Sequence, residues 1–292
     1  MTNKIAPSEL ILNPDGSIFH LHLKPGQLAN DVILVGDPDR VDLISGFFDE
    51  IEFKVQNREF VTVTGKYKGH RITVLSTGIG TDNIDIVVNE LDALVNIDLV
   101  TREIKAEKTS LNLIRIGTSG GLQGDIPVDA FLISCKAIGF DGLMNFYERR
   151  EEIADVEFEQ AFKSYTSWNP LLASPYVVDC DEDLYNKIAD NGFISGITIS
   201  APGFYGPQGR ELRLNIIDRQ INDKIESFRF KGMKITNYEM ECSAIYGLGR
   251  LLGHKALTVC ILIANRINRN ASADYKPNMR QLILKILNKL TQ

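Results

Sequence analysis

An α/β fold, a sheet with helices on its faces, is predicted by one regularity, one quantity and one absence. Short runs rich in Val, Ile, Leu and Thr alternate with segments whose apolar residues recur at helical spacing over the whole chain of 292 residues. Hydrophobic residues make up 44%, ample for a large core at this length. No Pro/Gly/Ser linker, low-complexity tract or internal repeat breaks the alternation, so one domain over residues 1–292 is expected.

The strands are expected at Asp31–Val35, Arg58–Thr64, Arg71–Ser76, Asn112–Ile116, Phe131–Cys135, Ile194–Ser200, Lys234–Tyr238 and Ala256–Ile263. Between them, amphipathic spacing predicts helices at Asn83–Val95, Glu182–Asn191, Ile216–Phe228, Cys242–Leu252 and Met279–Leu290. Residues 142–175 are polar and aromatic and follow neither pattern; they read as a long insertion covering a site.

Composition narrows the partners. The net charge is −6 and the 32 Lys and Arg are scattered, which leaves no electrostatic footprint for nucleic acid or an anionic membrane. The most apolar stretch, Ala256–Ala264, is less than half of the roughly 20 residues a membrane helix needs, and Met1–Leu10 lacks a signal-peptide core. A cytoplasmic protein with a small-molecule partner is expected. Cys135, Cys180, Cys242 and Cys260 form neither a C-x-x-C pair nor a Cys/His cluster, so no metal site or disulfide framework is expected.

Ligands of α/β sheets gather at the carboxyl ends of strands, so the residues after each strand carry the functional reading. GDPDRV, Gly36 to Val41, has Asp37 as N-cap and Pro38 at the first helical position. Arg40 is the exception in that turn, because a helix N-terminus favours anions; a cation there fits an anion-binding turn, with a plain strand-to-helix turn as the alternative. RIGTSGG, Arg115 to Gly121, offers close backbone approach at its glycines, hydroxyls at Thr118 and Ser119 and a fixed charge at Arg115. It reads as a second anion contact or as a glycine-rich turn, and its spacing matches neither the dinucleotide fingerprint nor the P-loop. STGIGTDN, Ser76 to Asn83, reads as a structural turn into a helix. APGFYGPQGR, Ala201 to Arg210, is a rigid loop whose Phe204 and Tyr205, beside Gln208 and Arg210, could stack and hydrogen-bond a flat heterocycle. In TNYEMEC, Glu239 and Glu241 are two residues apart at a strand end, where extended geometry puts both on one face. They read as acceptors for sugar hydroxyls, or as one helix cap and one salt bridge.

Taken in order, FHL at Phe19 to Leu21, GDPDRV, NREF at Asn57 to Phe60, STGIG, RIGTSGG, FYGPQGR, NYEMEC and ANR at Ala264 to Arg266 resemble the nucleoside phosphorylase family, and within it the uridine phosphorylases. The resemblance spans Phe19 to Arg266 and implies a three-layer α/β/α fold with a central mixed, partly barrel-like sheet. It matches Gly36, Arg40, Arg115 and Thr118 to phosphate-binding positions, with Arg58 reaching a neighbouring subunit's phosphate. His20 matches a histidine lent across a dimer interface to the ribose 5′-hydroxyl. Glu239, Met240 and Glu241 match the ribose clamp, and Ser119, Gly120, Phe204, Gln208 and Arg210 the uracil site. Arg115, Gln208, Arg210 and Glu241 are thereby the expected catalytic group.

The same resemblance implies phosphorolysis of uridine, deoxyuridine or thymidine with inorganic phosphate as co-substrate and no cofactor. It implies at least a dimer with shared sites, a hexamer being compatible, and admits a monovalent cation near Glu59, with a plain salt bridge as the alternative. Residues 1–17 form an N-terminal extension. Purine-cleaving relatives carry a Ser-Asp pair where this chain has Asn265-Arg266, which points to a pyrimidine. A purine phosphorylase, a hydrolytic nucleosidase and a non-catalytic nucleoside-binding protein are the alternatives.

Overall fold

The computed structural model describes residues 4–292; the start of the expected N-terminal extension, residues 1–3, lies outside the described residues. In chain order the first half comprises β1 (Asp31–Val35), α1 (Pro38–Ser45), β2 (Glu50–Asn57), β3 (Phe60–Tyr67), β4 (His70–Ser76), α2 (Thr81–Asn96), β5 (Ile97–Asp98), β6 (Glu103–Ile104), β7 (Asn112–Gly121) and β8 (Phe131–Gly139). The second comprises α3 (Val156–Thr166), β9 (Tyr176–Asp179), α4 (Glu182–Ile188), β10 (Ile194–Ser200), α5 (Ile221–Ser227), β11 (Arg229–Phe230), β12 (Met233–Glu239), α6 (Cys242–Leu252), β13 (Lys255–Asn265), β14 (Asn270–Ala271) and α7 (Lys276–Leu290).

The main sheet runs β2-β3-β4-β1-β7-β13-β8-β10-β12-β11, and β12 also pairs back onto β7. That extra pairing closes β7, β13, β8, β10 and β12 into a five-stranded barrel, from which β1, β4, β3 and β2 continue beside β7 as an open sheet. The sheet is mixed: β1 is parallel to β4 and β7, whereas β12 meets β7 antiparallel through Asn237 opposite Gly121 and Tyr238 opposite Gly120. DVILV in β1 is buried along its whole length, which is why it shows no alternation: both faces are covered. On one side α2 and α6 pack through Ile84, Val87, Leu91, Ile245 and Leu248. On the other, α1, α4 and α7 pack through Val41, Ile44, Leu184, Leu282 and Ile286. These are the three layers.

Several expected boundaries move. RIGTSGG is strand throughout, because β7 continues to Gly121 and supplies the barrel-closing pairs. Arg58 does not begin a strand: it sits with Glu59 in the two-residue turn between β2 and β3, at φ 53. Residues 142–175 contain α3, which buries Phe158 and Phe162 and is capped by Asp155, and β9 begins directly after them at Tyr176. The helix expected from Ile216 begins at Ile221, since Glu211 accepts hydrogen bonds from Ile216 N–H and Arg219 Nε and holds the intervening chain irregular. Among the described residues no helix is long and apolar enough to cross a membrane.

Candidate active site

The two acids of NYEMEC are held differently. β12 ends at Glu239 and α6 starts at Cys242, so the first N–H groups of α6 need acceptors. Glu239 provides them: its carboxylate accepts from Glu241 N–H at 2.9 Å and Cys242 N–H at 2.9 Å, and also from Ser200 Oγ at 2.5 Å. Glu241 instead accepts from Gly80 N–H at 2.8 Å through one oxygen and from Arg115 Nη2 through the other. Arg115 Nη1 lies 3.3 Å from Glu239, so one guanidinium spans both acids. All three side chains are buried. Burial alone would lower the Arg115 pKa, but the Glu241 and Glu239 charges hold it above the ordinary arginine value. Burial pushes the Glu239 carboxyl above its ordinary range; Arg115 opposes this, and the Glu241 charge adds to it. Each Glu241 oxygen has taken one hydrogen bond, and a carboxylate has about four acceptor positions, so it can still accept from a ligand.

Arg40 flanks this cluster. Its backbone N–H donates to the Asp37 cap at 3.0 Å, its Nη2 pairs with Asp37 at 2.8 Å, and its Nη1 donates to the Ile116 carbonyl at 3.4 Å. Burial lowers the Arg40 pKa, and Arg115 lowers it further against the pull of Asp37. The buried guanidinium of Arg115 and the partly buried one of Arg40, near enough to repel and beside the N-terminus of α1, form a place that an anion would stabilise. Gly36 and Thr118 are half-buried at the ends of β1 and within β7, and Ser119 Oγ is buried with no hydrogen-bond partner among the described residues. Gly117 is dictated by sterics: a Cβ there would lie 1.9 Å from Arg115 Nη1, because the arginine folds back along its own strand.

A second cluster follows β10. Residues Gly206–Gln208 form a short 3-10 turn that ends at Gly209 with φ 71. Gln208 is buried, and its Oε1 accepts from Arg210 Nη1 at 2.6 Å. The Arg210 guanidinium lies 3.8 Å over the ring centroid of the half-exposed Phe204 and also donates to the Phe204 carbonyl. Arg266, just past β13, clamps the loop by donating to the carbonyls of Gln208 at 3.0 Å and Gly209 at 3.2 Å. Burial, and next the like charge of Arg266, push Arg210 down to about 10. The preceding Asn265 is spent on its own turn: its Nδ2 donates to the Gln123 and Ile126 carbonyls and its Oδ1 accepts from Ile267 and Asn268 N–H. The two clusters meet on β7, since a Cβ on Gly120 would be 4.0 Å from Arg210 Nη2. Beside the loop opens a largely apolar cavity of about 1080 Å³, walled by Phe140, Trp168, Leu172, Tyr205, Arg210 and Ile217; residues 142–175 supply Trp168 and Leu172.

His20 and Arg58 stand apart from these clusters. His20 Nδ1 pairs with Glu90 at 2.6 Å, and the His20 carbonyl accepts from Asn57 Nδ2 at 2.8 Å, which ties it to the hairpin whose exposed tip carries Arg58. No hydrogen bond or ion pair among the described residues joins either one to Arg115 or Glu241. Glu59 shares that tip, and its carbonyl accepts from Ser76 Oγ. Met240 is half-buried between the two acids. Among the described residues no three His, Cys, Asp or Glu gather as a metal site would require. Three participants were not singled out as site residues from sequence: Gly80, inside a stretch read as purely structural, Ser200 at the very end of β10, and Arg266 as the loop clamp.

A uridine phosphorylase of Thermococcus kodakarensis is 31% identical over 91% of this chain and 84% of that protein. A DeoD-type purine nucleoside phosphorylase of Listeria monocytogenes is 28% identical over 82% and 84%. Among solved structures, a Trypanosoma brucei nucleoside phosphorylase described as showing uridine phosphorylase activity superposes with a TM-score of 0.84 at 28% identity, over 97% of this chain and 99% of that one. The model of the phosphorylase superfamily matches residues 30–290, which take in every strand end described above, and the chain is a member of that family.

Proposed function

We propose that the protein catalyses the reversible phosphorolysis of uridine to uracil and α-ribose 1-phosphate. The observation that carries this reading is the placement along one strand: β7 presents Arg115 to Glu241 and, five residues on, Gly120 to Arg210. An anion site, a hydroxyl acceptor and a base loop therefore lie in line. The relatives named as uridine phosphorylases support the same substrate.

In the proposed reaction a phosphate oxygen forms a bond to the anomeric carbon as the glycosidic bond breaks, and the electron pair leaves with the uracil nitrogen. Gly36, Arg40, Arg115 and Thr118 hold the phosphate, with Arg58 of a neighbouring copy. Glu241 accepts hydrogen bonds from the sugar hydroxyls; Met240 lies between the acids, and Glu239 serves the ribose by fixing the backbone of Glu241. A neighbour's His20 receives the 5′-hydroxyl. Ser119, Gly120 and Phe204 line the base, while Gln208 and Arg210 stabilise the charge that builds on it. Positioning and fixed charge lower the barrier without a covalent intermediate, and inorganic phosphate is the only co-reactant. The working unit is at least a dimer of single-domain chains, and the setting is cytoplasmic pyrimidine salvage.

The test is uracil release from uridine with and without phosphate, with inosine as control. Phosphate-dependent release from uridine alone supports the proposal; release without phosphate would make the protein a hydrolase, and release from inosine would reassign the base. Gly117→Ala provides a sharper check. It should displace the Arg115 guanidinium and reduce turnover about 100-fold, the usual cost of misplacing a reacting partner by about 1 Å. Wild-type kinetics from the folded variant would remove Arg115 from the reaction.

A further inference from the structure

We infer that Glu90 is a positioning residue that sets the ring orientation and tautomer of His20, so that Nε2 is presented as a hydrogen-bond acceptor to the sugar 5′-hydroxyl in a neighbouring copy. The inference rests on the proposed role of His20 and extends it to a residue seventy positions away. Glu90 lies on α2 and is mostly buried, and its carboxylate accepts from the backbone N–H groups of His20 at 3.1 Å and Leu21 at 2.9 Å and faces His20 Nδ1 at 2.6 Å. A carboxylate can only accept, so the hydrogen facing it sits on Nδ1, and of the two tautomers of a neutral imidazole this selects the one that leaves Nε2 as an acceptor. The two backbone bonds fix the segment, and the third fixes the ring. Phe19 packs edge-on against that ring at 4.8 Å and Phe60 at 6.4 Å, while the side chain keeps 27% of its surface open. An imidazole anchored on one nitrogen and partly exposed is arranged to serve a partner outside its own chain.

The same helix begins at the other site. Gly80 N–H, at the start of α2, donates to Glu241, and Glu90 lies about 15 Å further along at 1.5 Å per residue. One rigid element thus places the acid that holds this chain's sugar and the histidine offered to another.

The experiment compares kcat/KM for uridine and for 5′-deoxyuridine, which lacks the hydroxyl, in wild type, His20→Ala, Glu90→Gln and the double variant. Wild type should prefer uridine by on the order of tenfold or more, the range of a hydrogen bond to a positioned group. His20→Ala should erase that preference. Glu90→Gln should lower kcat/KM on uridine by a similar factor with little change on 5′-deoxyuridine, and should have no further effect in the His20→Ala background. Equal losses on both substrates from Glu90→Gln, with His20→Ala still erasing the preference, would overturn the positioning role alone. A preference that survives His20→Ala would overturn the His20 role on which it rests. If Glu90→Gln does not fold, Glu90→Asp keeps the charge but shortens its reach: loss of the uridine preference supports the inference, and its retention overturns it.

Discussion

Replacing Arg115 by Ala is expected to lower kcat/KM for phosphorolysis by at least about 10² to 10³ and to weaken the fold by about 3–5 kcal/mol. Both effects have one cause. Arg115 is the cation between Glu239 and Glu241, and its removal leaves two buried carboxylates with only neutral hydrogen-bond donors and no counter-charge. Adding Glu241→Gln to Arg115→Ala should therefore restore part of the stability, measured by urea unfolding, and none of the activity. Arg115→Lys should rescue poorly, because a point charge cannot span two acids as a planar guanidinium does. If the variant's phosphate saturation curve matched that of wild type, Arg115 would be a structural ion-pair partner only.

Arg210→Ala should act on the base alone. With the guanidinium gone, Gln208 Oε1 loses its partner and, under the proposed base role, the departing uracil would lose a charged donor, so kcat/KM for uridine should fall about 10² to 10³. Affinity for ribose 1-phosphate in the reverse direction should hold, because the phosphate and sugar contacts are untouched. Equal losses in both directions of binding would place Arg210 outside the base site. Gln208→Ala should give a weaker form of the same pattern.

How far the sequence foretold these arrangements depends on where the deciding contact lies. DVILV and CSAIYGLGRLL are recognisable because burial writes itself into local composition, and α6 even carries its own stop at Gly253, φ 82. The second half of β7 is different. Its glycines carry the signal of a turn, and only pairing with distant partners, Cys260 to Asn265 of β13 and Tyr238 and Asn237 of β12, makes them strand. α3 was lost in a polar stretch because VEFEQAFKSYT buries only one narrow side. In the site, residue types at strand ends were legible, but not who binds whom. The spacing of Glu239 and Glu241 left cap, salt bridge and ligand acceptor open; in the structure Glu239 caps α6 through Cys242 and holds Ser200, while Glu241 pairs with Arg115 and Gly80, and Ser200, Gly80 and Arg115 are brought near only by the fold. Glu90 gave no local signal at all, since its partner lies in another part of the chain.

The closure of the barrel also bears on how the protein acquires activity. Gly121 must find Asn237, and Gly117 must find Cys260, before β7 has both of its late partners. Such distant pairings form slowly, because chain entropy is lost before the contacts reward it. Helices such as α2 and α6 depend on nearer contacts within themselves. On refolding, the helical signal should therefore recover ahead of catalysis, and regained turnover would mark the moment the barrel shuts.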